Sequence, residues 1–139
     1  MPVSRGFLDH ALDLLSLAGP VRARAMFGGY GLYLRDAMFG LLDDEEIFLK
    51  TDDACRQEFV DAGCEQWVYP SPKGPMATQY FRPPDDAHED AEAMLPWAGL
   101  AIAAARRAAR DKAEKAKARE GRKRTGARKK KKEKKAKKR

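Results

Sequence analysis

The sequence predicts a two-layer α+β domain, an antiparallel sheet of about five strands with helices packed on it, followed by a disordered basic tail. Three observations predict this. First, charge is divided along the chain: residues 1 to 105 hold 8 Lys+Arg against 17 Asp+Glu, net −9, and residues 106 to 139 hold 20 against 4, net +16, which sum to the overall +7. Second, every Phe, Trp, Tyr, Leu, Ile and Val lies in the first part, so only that part can build a core. Third, the apolar spacing is helical near both ends of that part and changes to short aromatic and aliphatic runs between them.

Leu8, Ala11, Leu12, Leu15 and Ala18 recur at helical spacing, with Ser4 as N-cap and Gly19-Pro20 as the stop. Between Val21 and Lys50, "MFGGYGLYLRD", "AMFGLLDD" and "EIFLKTD" alternate with Asp-rich punctuation and read as an antiparallel meander. Asp52 or Asp53 caps a second helix in which Cys55, Phe59 and Val60 share a face, and Gly63 ends it. Two strands, Gln66 to Tyr69 and Ala77 to Arg82, flank "PSPKGP", and Pro83-Pro84 closes the sheet because proline cannot donate to a central ladder. A third helix starts near Asp85 to Ala87 and turns Ala91, Met94 or Leu95, Ala98, Ala101 or Ile102, and Ala105 inward, with Pro96 expected to kink it or restart it. Trp97, Phe27 and Tyr33 are expected in the core between this helix and the sheet.

The predicted domains are therefore residues 1–105 and a Lys/Arg/Ala-rich tail, 106–139. Helix propensity carries "RRAARDKAEKAKARE" to about Glu120, and like-charge repulsion favours disorder after Gly121. About 105 residues suffice to fold without metal or disulfides. Cys55 and Cys64, nine apart and without a C-x-x-C, suit a reducing compartment, which makes a cytoplasmic location the expectation, with nucleoid association left open. The apolar run before Ala23-Arg24-Ala25 imitates a leader peptide, but Asp9, His10 and Asp13 interrupt it. A membrane-spanning helix is excluded, since no stretch approaches about 18 uninterrupted apolar residues.

The segment "RAMFGGYGLYLRD" raises the question of a phosphate loop. A dinucleotide fingerprint built on Gly29 and Gly31 would need glycine at position 34, where Leu34 stands, and no Gly-Lys-Ser/Thr follows for a P-loop. The glycines therefore read as a bulge or strand crossover where a backbone or ring approaches closely. "DDEE", Asp43 to Glu46, lacks the alternation of a calcium loop and reads as a solvated turn. His10 and His88 are too far from the cysteines for a paired zinc set, and Ser4, Ser16 and Ser71 lie outside any nucleophile elbow. No catalytic residue, metal or cofactor is expected.

The tail is the strongest chemical signal. Arg122, Lys123, Arg124, Arg128, Lys129, Lys130, Lys131, Lys132, Lys134, Lys135, Lys137, Lys138 and Arg139 match a polyanion and are expected to neutralise phosphates without reading bases. The alternative is a solubilising appendage on a protein-interaction module, and a small-molecule-binding or enzymatic domain is a third reading. The acidic body would repel phosphate and suits a protein partner; the oligomeric state, a homodimer included, stays open.

The stretch "RAMFGGYGLYLRDAMFGLLDDEEIFLKTDD" resembles the N-terminal domain of the TfoX/Sxy family of bacterial competence regulators. The resemblance rests on Arg24, Met26, Phe27, Gly28, Gly29, Gly31 and Tyr33, then Phe39, then Phe48-Leu49-Lys50 ending in Asp52, with Tyr80, Leu95, Trp97 and an Ala-rich last helix in support. It covers about residues 4 to 106. It implies a helix, three strands, a helix, two strands and a helix, and a non-enzymatic role in expressing DNA-uptake genes alongside a cyclic-AMP receptor protein. Full-length regulators of that family carry a second domain where this chain has its lysine-rich tail, so it is the domain type that transfers.

Overall fold

A computed structural model describes residues 3–26 and 28–137, with side chains as far as Arg122. Two compact units divide the chain between Arg106 and Arg107. In the first, α1 (Arg5–Leu14) begins where Ser4 Oγ accepts a hydrogen bond from the Phe7 N–H at 3.1 Å, satisfying a donor the first turn would leave open. Ser4 also donates its backbone N–H and its hydroxyl to the Glu45 carboxylate, at 2.5 and 3.0 Å, so the cap is itself anchored on the sheet. A 3-10 turn, Ser16–Ala18, leads to Gly19, whose φ of 133° ends the segment.

The sheet has six strands: β1 (Val21–Met26), β2 (Gly29–Leu34), β3 (Ala37–Asp43), β4 (Glu46–Lys50), β5 (Gln66–Ser71) and β6 (Gly74–Phe81). All pair antiparallel, in the order β1-β2-β3-β4-β6-β5. The α+β class stands, with the meander gaining a strand. "MFGGYGLYLRD" is two strands rather than one, because Met26 pairs with Gly29 and leaves residues 27 and 28 as the connection. Gly28 takes φ 82°, as a two-residue hairpin loop requires. The next two hairpins use Arg35 (φ 57°) and the Asp44-Glu45 pair (φ 49° and 59°); the latter two residues form the left-handed turn that matches strand twist.

Helix α2 (Arg56–Asp61) follows an Asp52 turn in which Oδ1 accepts the N–H groups of Ala54 and Cys55 at 3.1 and 3.2 Å. Cys55 and Phe59 are buried as expected, whereas Val60 is 49% exposed: a six-residue helix buries Phe59 and no second row beside it. Thr51, the one buried polar side chain among the described residues, gives both its N–H and its hydroxyl to the Gln79 carbonyl, at 2.7 and 2.8 Å. On the far edge of the sheet, Pro70 of β5 pairs with Pro75 of β6.

Helix α3 (Ala91–Lys137) follows a 3-10 turn, Asp85–His88, and starts with Asp90 accepting the Ala93 N–H at 2.8 Å. It continues through Pro96, its sixth residue, two positions past the first i→i−4 bond from Met94 to Asp90, so the proline leaves out one rung of the ladder. Met94, Ala98, Ala101, Ile102, Ala104 and Ala105 are buried and close the core over α1, α2 and one face of the sheet. The helix extends beyond the expected stop at Glu120, through Gly121 and Gly126, to Lys137. Two glycines at about 1 kcal/mol each do not interrupt a segment otherwise made of strong helix formers. Phe27, Lys138 and Arg139 lie outside the described residues.

Candidate functional site

Strand alternation gives the sheet two faces of different chemistry. Leu32 and Leu34 of β2, Leu42 of β3, and Ile47 and Leu49 of β4 face the helices and belong to the core, with the half-buried Tyr30 packed against it. Arg24, Met26, Gly29, Gly31, Tyr33, Leu41, Asp43, Phe48 and Lys50 fall on the other face. No helix covers that face among the described residues.

The β5–β6 hairpin covers part of it instead. Three strand steps separate β3 from β5, which in a flat sheet would set them about 14 Å apart. Yet the Trp67 indole N–H donates to Asp43 Oδ2 at 3.3 Å, so the hairpin curls over the open face. Pairing between β4 and β6 is confined to Leu49 with Phe81 and Lys50 with Tyr80, which leaves the rest of the hairpin free to bend. Trp67 is the hub beneath this cover: Phe48 lies 5.8 Å from it, Tyr69 5.7 Å and Tyr80 6.4 Å, the last edge-on. Such tilted pairs add favourable electrostatics to apolar burial.

Between sheet and hairpin is a cleft of about 190 Å³, lined by Met26, Gly29, Tyr30, Leu41, Asp43 and, from the hairpin, Trp67, Tyr69 and Pro70. Its size admits a group no larger than one amino-acid side chain and excludes a nucleotide, since sites for drug-sized ligands run to about 300–1,000 Å³. Among the described residues no cation pairs with Asp43. Arg24, the cation nearest along β1, lies over the Tyr33 ring at 5.6 Å instead.

The glycine motif now has a physical account. A Cβ on Gly29 would collide with the Leu42 carbonyl oxygen, and one on Gly31 would press on the Tyr33 ring and Met38 at 3.0 and 3.4 Å. Close approach of a backbone and a ring is thus borne out. The expected bulge is not at the glycines but between Leu32 and Tyr33, where the register with β3 shifts past Phe39. Tyr33 is half-buried on the face away from the helices, not in the core, because it alternates with the inward Leu32 and Leu34 and shares its face with Gly29, Gly31 and Arg24. Trp97 packs on the core with its ring edge-on to Phe59 at 4.9 Å.

Two groups carry shifted titrations. Burial, and secondarily the nearby Tyr33, push the Tyr80 phenol up. Burial pushes the Cys64 thiol up, partly offset by Arg82, so this cysteine rests as a thiol and lacks the depressed value of a nucleophile. "DDEE" is a turn, and Glu45 in it is held by Ser4 rather than simply solvated. Among the described residues no group of three or more His, Cys, Asp or Glu could hold a metal ion, and no helix is long and apolar enough to cross a membrane.

Of the sequence-predicted phosphate contacts, Arg122 is an exposed residue of α3. Residues 123 to 137 lie on the same helix, with their side chains outside the described ones. The aromatic cleft is the feature that sequence reasoning missed. Its signal was the run "AMFGLL": apolar residues at successive positions mean a strand covered on both faces, whereas a one-sided sheet alternates.

Comparison with known proteins adds two findings. The model of the TfoX N-terminal domain matches residues 13–105. The DNA transformation protein TfoX1 of Aliivibrio fischeri is 27% identical over 73 residues, which are 52% of this chain and 35% of that protein.

Proposed function

Because the chain belongs to the TfoX N-terminal domain family, we propose that it is a non-catalytic, cytoplasmic regulatory domain held on nucleic acid by its basic helix. The observation that carries this reading is the division of charge, −9 in residues 1–105 and +16 in residues 106–139 (8 − 17 and 20 − 4). An acidic body is repelled by phosphate, so affinity must come from the second part, through release of the counterions condensed on the polyanion. The helical backbone strengthens the case: charges spaced at about 1.5 Å of rise per residue are already extended along an axis and need little ordering when they meet a duplex. A family relative named for DNA transformation is in keeping with a nucleic-acid context. The body then remains free to meet a protein partner.

Affinity measured for two unrelated duplexes across a salt series tests this. If 6 to 10 of the cations engage, binding falls by roughly 10³ to 10⁵ between 50 and 200 mM salt, equally for both sequences. Truncation after Ala105, the last buried one of the described residues, leaves a folded body that does not bind. A flat salt response, or undiminished binding by the truncated form, overturns the reading.

A further inference from the structure

We propose that the cleft between the sheet and the β5–β6 hairpin binds an organic cation of side-chain size, a quaternary or alkylated ammonium or a guanidinium. This does not depend on the tail. Three observations converge on it. The walls are aromatic and apolar: Trp67 and Tyr69 on the hairpin side, Met26 and Leu41 on the sheet side. Ring faces carry the negative lobe of the aromatic quadrupole, so a cation with an apolar shell gains from both packing and charge in such a cage. A carboxylate stands at the wall: Asp43 uses one oxygen to accept from Trp67, and among the described residues no cation neutralises it.

The volume, about 190 Å³, then limits the ligand to a single compact head group. The net −9 of residues 1–105 attracts positive ligands and repels phosphorylated ones. An uncharged apolar group would fit the walls as well but would bury the Asp43 carboxylate beside it without compensation, which is costly. Arg24 does not compete for the site, because its guanidinium is occupied by Tyr33. Tyr69, 37% exposed at the rim, is placed to close over an occupant.

The test uses the full chain and follows the Trp67 indole N–H resonance, identified as the one of the two tryptophan signals that moves in Asp43→Asn. Choline is titrated against dimethylbutanol, its uncharged carbon isostere, and an arginine-centred peptide supplies the same chemistry carried on a protein. Saturable shifts with choline and none with the isostere are expected, with about tenfold weaker binding in Asp43→Asn and in Tyr69→Ala. Tighter binding of the peptide than of choline assigns the cation to a protein side chain; the reverse order assigns it to a free small molecule. Equal shifts with the isostere overturn the proposal, as does silence with both cations. Unchanged affinity in both variants, each shown to be folded by its remaining spectrum, overturns it too.

Discussion

The two faces of the sheet are built from the same strands and differ in almost every physical respect. The helix-covered face is aliphatic and closed: Leu32, Leu42, Ile47 and Leu49 are at most 1% exposed, with Phe59 of α2 and Met94 of α3 fully buried above them. The other face is aromatic, half-open, and includes the Asp43 carboxylate, the Arg24 guanidinium and a hydrogen-bonded indole. The first face explains why the chain folds. The second has more chemistry than folding requires, and it is the face on which the cation cleft is proposed.

The contrast predicts unequal costs for removing one aromatic ring from each side. Phe59→Ala should destabilise by about 3 to 5 kcal/mol, the range for emptying a closed aromatic site. Tyr69→Ala, at the open rim, should cost below about 1 kcal/mol, since little cavity remains when the site can fill with water. Denaturant titration of both variants checks the pair, and equal costs would mean that the hairpin face is packed as tightly as the core.

An intermediate effect is expected where the open face is nevertheless tight. Gly29→Val puts side-chain atoms against the Leu42 carbonyl, which cannot retreat without breaking the β2–β3 ladder. A loss of about 1 to 3 kcal/mol follows from such strain. A melting temperature within error of the parent would show that the glycine is dispensable. In the same experiment ATP or NAD at millimolar concentration should leave the melting temperature unchanged, because ligand linkage raises it only where the folded state binds.

The smallest effect is titrational. With its folded value raised by burial and by Tyr33, Tyr80 favours the neutral form in the native state. Its contribution to stability is therefore complete below the ordinary tyrosine range, about 10, and is lost as pH rises through the higher folded value. Near-UV absorbance should show one tyrosine ionising after the others, and Tyr33→Phe should move it back toward them. Four tyrosines titrating together would place Tyr80 in water.

Much of the helix-covered layer was legible because it rests on local signals. Ser4 as a cap, Gly63 as a stop, Asp52 as a turn and the inward alanines of α3 each follow from spacing or capping chemistry within a few residues. The hairpin flanking "PSPKGP" was legible for the same reason. What escaped was set by long-range geometry. The curl that brings Trp67 to Asp43, 24 positions away, depends on how few pairs join β4 to β6, and no window of sequence holds that information. Tyr33 was misplaced for a simpler reason: Leu32 and Leu34 beside it are the inward residues of β2, and strand alternation then turns Tyr33 to the opposite face. Val60 shows the complementary failure: helical spacing gave its position on α2 but not the number of rows that α2 can bury.

The Pro70–Pro75 pair has a consequence for how molecules of this chain can meet. An open sheet has two borders, and a body with both available can join its neighbours without end, the geometry of a fibre. Here β5 loses a donor at Pro70, and the hairpin bends out of the plane that an incoming strand would have to share. The β1 border, Val21–Met26, is regular and proline-free. Growth of the sheet by strand addition is thus hindered at the β5 border, and no proline stands in the way at the β1 border.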